Sequence, residues 1–155
     1  MLQVGHKAPA FDLPDAGMEM VSLEEFRGRK NVVLYFYPKD GTPGCTIQAI
    51  DFSELENEFD KHDTVVFGIS RDDCLSHASF RDKHGLTVQL LADSEGEVCR
   101  LYGVMEERVV DGIRRLGVNR STFIIDKQGT LKHILHVENP RGHAQEVLKL
   151  VRGAG

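Results

Sequence analysis

Apolar residues occur along this chain in short unbroken runs, separated by segments with helical spacing. Residues 32–37, Val-Val-Leu-Tyr-Phe-Tyr, contain no charged or strongly polar position. Such a run predicts a central strand buried on both faces rather than one with a side in water. Residues 64–70 and 88–91 predict two more strands. Between the first two, Ile47, Ile50, Leu55 and Phe59 fall near one helical face, which predicts a helix over about residues 43–61. Ser22 and Glu25 have the spacing of a capping box, here opening a short helix that ends near Gly28. Asp72 or Asp73 is placed to cap a helix ending at Gly85, and Ser94 with Glu97 repeats the box before a helix stopping at Gly103.

Turn chemistry supplies the rest. Asp15-Ala16-Gly17 marks a turn between two short strands, and Asp111-Gly112 marks a hairpin tip. Residues 121–125 and 131–137 predict strands joined by Asp126-Lys127-Gln128-Gly129, and an amphipathic helix with Val147, Leu148 and Val151 closes the chain. Strands and helices alternate, and an antiparallel pair and a helix follow. That order predicts an α/β architecture: a central mixed sheet flanked by helices, with an N-terminal hairpin extension. The thioredoxin-like fold is one form of it. Without a repeat or a linker, the 155 residues read as a single domain.

Composition narrows the function classes. The formal net charge of −5 gives no electrostatic reason to bind a phosphate backbone, so no nucleic-acid partner is expected. Arg108, Arg114, Arg115 and Arg120 lie close in sequence, and most of them read as a solvated loop. No apolar run reaches the roughly 20 residues that span a bilayer, and residues 1–7 lack an apolar signal core, so a cytoplasmic protein without membrane attachment is expected. The seven histidines form no spaced metal cluster, and His133 and His136 read as strand residues without a chemical role. No metal or cofactor is expected. Cys45, Cys74 and Cys99 are too few and too scattered for a disulfide framework and show no Cys-x-x-Cys pairing.

Cys45 has the most telling position of the three. It follows a buried strand and lies in the first turn of a long predicted helix. Unpaired backbone N–H groups and the positive end of the helix dipole gather there, and both favour the thiolate, the reactive form of the side chain. Position alone leaves two readings open, since a lone cysteine also serves as a small buried hydrophobe.

The neighbours bear on that choice. Pro38, Thr42 and Cys45 stand in the spacing Pro-x-x-x-Thr-x-x-Cys, which resembles the active-site signature of the peroxiredoxins. The opening Val4-Gly5-His6-Lys7-Ala8-Pro9-Ala10-Phe11 is similar to the family's entry segment. Tyr35-Phe36-Tyr37-Pro38 with Thr42-Pro43-Gly44-Cys45-Thr46 resembles the bacterioferritin comigratory protein, or peroxiredoxin Q, subfamily. Gly68-Ile69-Ser70 and Asn119-Arg120-Ser121-Thr122-Phe123-Ile124-Ile125-Asp126 are similar to its later blocks, so the resemblance covers nearly the whole chain.

The resemblance implies a thioredoxin-like fold and a thiol-dependent peroxidase. It would act on hydrogen peroxide and organic hydroperoxides, with thioredoxin, glutaredoxin or a small thiol as reductant. A monomer or weak homodimer is expected. Cys45 is then the peroxide-attacking nucleophile, Thr42 and Arg120 its catalytic partners, and Pro38, Pro43 and Gly44 the substrate pocket. The two prolines would shape the loop and shield the sulfur from water. The chemistry fits these residue types. Charge leaves sulfur and builds on the departing oxygen, so hydrogen-bond donors must meet it, and a guanidinium presents a rigid fork of them. Gln48 lies one turn beyond Cys45, where the family often carries a carboxylate or amide. Two readings stay open for it, steadying the loop or facing solvent.

The resemblance breaks at the second cysteine. Many members carry a resolving cysteine five residues after the first, where this chain has Ile50, or on the following helix, at a position that aligns with Arg81. That leaves Cys74 and Cys99 as possible resolving residues, the former near a strand-to-helix junction and the latter read as packing. A thioredoxin-type oxidoreductase would need a cysteine at Gln48, and a glutathione-peroxidase-like enzyme a tryptophan, of which the chain has none. A non-catalytic binding role remains the alternative of a different class.

Overall fold

The computed structural model describes residues 2–154. The chain opens with a hairpin of β1 (Asp12–Pro14) and β2 (Met20–Ser22), followed by a 3-10 turn at Leu23–Phe26. Then come β3 (Asn31–Phe36), α1 (Pro43–Glu54), α2 (Glu56–Lys61), β4 (Thr64–Ser70), α3 (Cys74–His84), β5 (Gln89–Ala92) and α4 (Glu97–Leu101). A second hairpin, β6 (Met105–Val110) and β7 (Ile113–Val118), precedes β8 (Ser121–Ile125), β9 (Leu131–His136) and α5 (His143–Ala154). The main sheet has the order β5-β4-β3-β8-β9. The first three of these strands are parallel and the last two antiparallel, so the sheet is mixed as expected. This is the thioredoxin-like arrangement with an N-terminal hairpin.

β3 lies at the middle of the sheet, and its side chains alternate between two cores. Val32, Leu34 and Phe36 pack on one face with Phe11, Tyr102 and Phe123. Val33, Tyr35 and Tyr37 pack on the other with Cys45, Phe52 and Val147. A strand between two cores has no side free for polar residues, which is why its sequence reads as one apolar run. Tyr35 lies across β4, where a Cβ on Gly68 would come within 2.6 Å of the phenol ring, so only glycine admits it. Phe52 stacks on Tyr35 with ring centroids 4.5 Å apart and meets Phe59 and the imidazole of His143, so it joins α1, the sheet and α5.

Several local expectations hold. The Asp73 carboxylate accepts from the Ser76 N–H at 2.8 Å at the start of α3, and Gly85 ends that helix in the left-handed region. Asp111 and Gly112, at φ 54° and 76°, form the tip of the second hairpin. Others are corrected. The long helix is broken at Leu55, beside the point where the Ser53 carbonyl accepts from the Thr87 hydroxyl at 3.3 Å. The Ser53 hydroxyl also accepts from the Thr87 and Val88 N–H groups, tying this bend to the entry of β5. Ser22 makes no cap bond, and the segment after it stays a single 3-10 turn. At α4 the buried Asp93 replaces Ser94 as the cap: its carboxylate accepts from the N–H groups of Val98 at 3.2 Å and Cys99 at 2.8 Å.

α5 is fixed by its first residue. His143 is buried and its Nε2 lies 2.8 Å from the Thr122 hydroxyl of β8. Burial holds its imidazole below the ordinary histidine range, nearby Arg120 pushes the same way, and Glu146 opposes them. The unfolded chain takes up a proton at about pH 6.5, whereas the folded one resists. This group therefore leaves stability unchanged at higher pH and lowers it as pH falls through that value. Urea midpoints at pH 8 and 5.5 should show a larger acid loss for the wild type than for His143→Gln. Equal losses would mean that the imidazole is not held neutral by the fold.

Candidate active site

The site is built where β3 gives way to α1. Tyr37 is still anchored, with its N–H donating to the Ile69 carbonyl at 3.0 Å. The loop then turns outward through Pro38 and Lys39, which are exposed. Thr42 is the extended N-cap residue and Pro43 is the first residue of α1, a position that needs no N–H. The Thr46 N–H closes the first helical bond onto the Thr42 carbonyl at 2.9 Å. The N–H groups of Gly44 and Cys45 precede that bond and lack a helical acceptor.

Cys45 is 1% exposed and opens a helix that packs against Tyr35 and Phe52. Arg120, just before β8, extends across the sheet end. Its Nη2 lies 3.3 Å from the Cys45 sulfur and its Nη1 donates to Gln48 Oε1 at 2.7 Å. Residues 75 positions apart are thereby brought into contact by the pairing of β3 with β8. Gly44 makes the approach possible, since a Cβ there would lie 3.2 Å from both Arg120 Nη2 and Pro140. A guanidinium held by an amide beneath a sulfur at a helix N-terminus can stabilise a thiolate and then meet charge developing on a bound oxygen.

Each expected residue can now be placed. Thr42 uses its hydroxyl hydrogen on the Lys39 carbonyl at 3.0 Å, which leaves its oxygen lone pairs, not its proton, for a ligand. Pro38 and Pro43 are exposed, so they shape the loop, while Pro140 covers Gly44. Gln48 is fully buried and holds Arg120, which settles its two open readings against solvent. Arg108, Arg114 and Arg115 lie exposed on β6 and β7 rather than in a loop. Cys99 lies in the core on the opposite face of the sheet from Cys45, and burial together with Asp93 pushes its thiol well above the usual range. Cys74 is half-buried at the first position of α3. Sequence reasoning missed Asp40, His77 and Pro140. Asp40 lies inside the motif itself, and a carboxylate among turn residues is indistinguishable there from a solvated one.

The geometry defines a thioredoxin-fold enzyme whose working group is a thiol. Known proteins narrow this class. A model of the AhpC/TSA family matches residues 4–134. A putative peroxiredoxin Bcp of Helicobacter pylori is 45% identical over 148 residues, covering 96% of this chain and 97% of that protein. Peroxiredoxin Bcp of Bacillus subtilis is 37% identical over 151 residues, covering 97% and 96%. Among solved structures, the bacterioferritin comigratory protein of Xanthomonas campestris, studied for alkyl peroxide reduction, superposes with a TM-score of 0.88 at 35% identity, covering 93% of this chain and 91% of that one. A Xylella fastidiosa peroxiredoxin Q mutant superposes with a TM-score of 0.93 at 30% identity, covering 99% and 98%. The chain belongs to the AhpC/TSA family, in its bacterioferritin comigratory protein or peroxiredoxin Q branch. It is a thiol peroxidase.

The Gln48 contact makes a direct prediction. Gln48→Ala frees the guanidinium to leave the sulfur and should slow the reaction with hydrogen peroxide by about tenfold, while Gln48→Glu, which keeps an acceptor, loses less. Stopped-flow peroxide consumption checks both, and an unchanged rate in Gln48→Ala would show that Arg120 holds its place unaided.

Proposed function

We propose that Cys45 is the peroxide-attacking nucleophile and that Arg120, Thr42 and the N–H groups of Gly44 and Cys45 form its peroxide site. The observation that carries this is the Arg120 Nη2 at 3.3 Å from a buried sulfur at the start of α1. The thiolate attacks the nearer oxygen of ROOH. An S–O bond forms, the O–O bond breaks, and RO⁻ leaves and takes up a proton as ROH. Arg120 and the free N–H groups face the oxygen on which charge grows, and the Thr42 oxygen accepts the peroxide's O–H. Cys45 becomes a sulfenic acid. Hydrogen peroxide and organic hydroperoxides are the proposed substrates, and the alkyl peroxide activity of the Xanthomonas relative supports the second class.

Recycling runs through an external thiol in this proposal. The thiol attacks the sulfenic sulfur, water leaves, and a mixed disulfide forms. A second thiol then releases Cys45 and carries away the disulfide. Thioredoxin, glutaredoxin or a small thiol can serve. The place of Cys99 in the core across the sheet from Cys45 supports leaving it out as a partner. Cys74 lies on α3, whose Phe80 packs into the same core as Cys45, so it is the alternative resolving residue. A disulfide would need its Cα within about 7 Å of that of Cys45.

Cys45→Ser should abolish peroxide consumption with an unchanged circular dichroism spectrum, because serine keeps the size but not the nucleophilicity. Turnover near the wild-type rate would end the proposal. Intact-mass spectrometry after one equivalent of peroxide with added glutathione should give a glutathione adduct on Cys45. A Cys45–Cys74 cross-link formed at the rate of turnover would replace the external route by an internal one.

A further inference from the structure

Recycling has a geometric obstacle. The reducing thiol must approach the sulfur of Cys45 in line, yet that residue is 1% exposed and lies behind Arg120. Loop 38–44 and the first turn of α1 therefore have to yield once in every cycle. Asp40 is what restrains the loop. Its side chain is 5% exposed, and its carboxylate accepts from the Tyr37 hydroxyl at 2.6 Å and the Ser76 hydroxyl at 3.0 Å. His77 Nδ1 lies 2.6 Å from the same carboxylate. The Asp40 N–H donates to Asp72 Oδ2 at 2.9 Å, and Asp72 is itself held by the Ser70 hydroxyl at 2.6 Å. One residue of the loop is thus tied to the ends of β3 and β4 and to the first turn of α3.

The far end of the tie is rigid. His77 is fully buried and its Nε2 lies 2.9 Å from the Leu91 carbonyl of β5. A carbonyl only accepts, so Nε2 carries hydrogen, and a single proton lies between Nδ1 and the carboxylate. Burial first, then Tyr35 and Asp40, hold the Tyr37 phenol well above its usual range, so it stays a donor. Charge-assisted bonds of this kind in an apolar surround are among the stronger ones a protein makes.

We propose that the buried Asp40–His77 pair is a latch: it keeps the loop and the first turn of α1 in the peroxide-reactive form and sets how long the sulfenic acid remains there. The proposal rests on Cys45 being the peroxide-attacking residue. While latched, the sulfenic acid still faces the donors that bound the first peroxide. Attack by the sulfenate on a second hydrogen peroxide forms another S–O bond, breaks O–O, releases water and leaves a sulfinic acid. Once unlatched, the sulfur leaves those donors and an external thiol converts it to a disulfide with loss of water. Asp40 and His77 touch no reacting atom; they are positioning residues that divide the intermediate between two fates.

Asp40→Asn keeps the size of the side chain and removes its charge, and Ser76→Ala removes one bond at a half-buried position. The measurement is a single-turnover series at rising hydrogen peroxide with fixed dithiothreitol, followed by intact mass. Losing a bond to a charged acceptor shifts the latched-to-open balance by about tenfold. Asp40→Asn should therefore give about a tenfold lower ratio of sulfinic acid to reduced enzyme, a faster dithiothreitol step and a slower first peroxide step, and Ser76→Ala should move all three the same way by less. If Asp40→Asn does not fold, Ser76→Ala decides. Folded variants with the wild-type ratio would overturn the latch, and so would equal slowing of both steps, which is what a general loss of structure gives. A wild-type protein that forms no sulfenic acid at Cys45 would overturn both the latch and the reading beneath it.

Discussion

The site depends on positive charge held against a buried sulfur: Arg120 Nη2 lies 3.3 Å from the Cys45 sulfur at the start of α1. The positive end of α1 supplies part of the charge and Arg120 the rest. Neither is local to the other. β3 must end where α1 begins, and β8 must run antiparallel beside β3 so that Arg120 emerges at the same sheet end. A slip of one residue in that register would turn the side chains of β8 to the other face. The buried aromatic stack of Tyr35 and Phe52 lies under this junction and gives α1 a fixed seat.

Holding a guanidinium and a thiol in an apolar surround leaves polar atoms without partners. Tyr35 Oη and Gln48 Nε2 are buried with no hydrogen-bond partner among the described residues. Each such atom costs about 1–3 kcal/mol. Burial first, then the charges of Cys45 and Asp40, push the Tyr35 phenol far above its normal ionisation range, with only Arg120 opposing. The phenol is therefore a neutral dipole beside the charged site. Local rules of stability are broken here next to the chemistry, which is where function commonly overrides them.

Much of this was legible in the sequence because the relevant signals are local. The buried run of β3, the Asp73 cap, the Gly85 stop and the Asp111-Gly112 tip each depend on a few neighbouring residues. The setting of Cys45 was legible for the same reason: Thr42 and Pro43 specify a helix start by themselves. Features that depend on tertiary partners were not. The break at Leu55 falls where Ser53 meets Thr87 across the fold, and the cap of α4 comes from Asp93 where a plain pattern pointed to Ser94. Arg120 was reached only through resemblance to a family, since nothing in its own surroundings sets it apart from Arg108 or Arg115. Asp40 and His77 are 37 residues apart, and no periodicity links a loop carboxylate to a histidine on α3.

The main sheet also acts as a partition. Its two faces carry separate cores, and the two fully buried cysteines are divided between them, Cys45 on one and Cys99 on the other. Between them stands a continuous, hydrogen-bonded wall of strands. In the proposed reaction the thiol chemistry is thereby confined to one compartment, while the compartment that anchors the N-terminal hairpin keeps Cys99 behind the sheet.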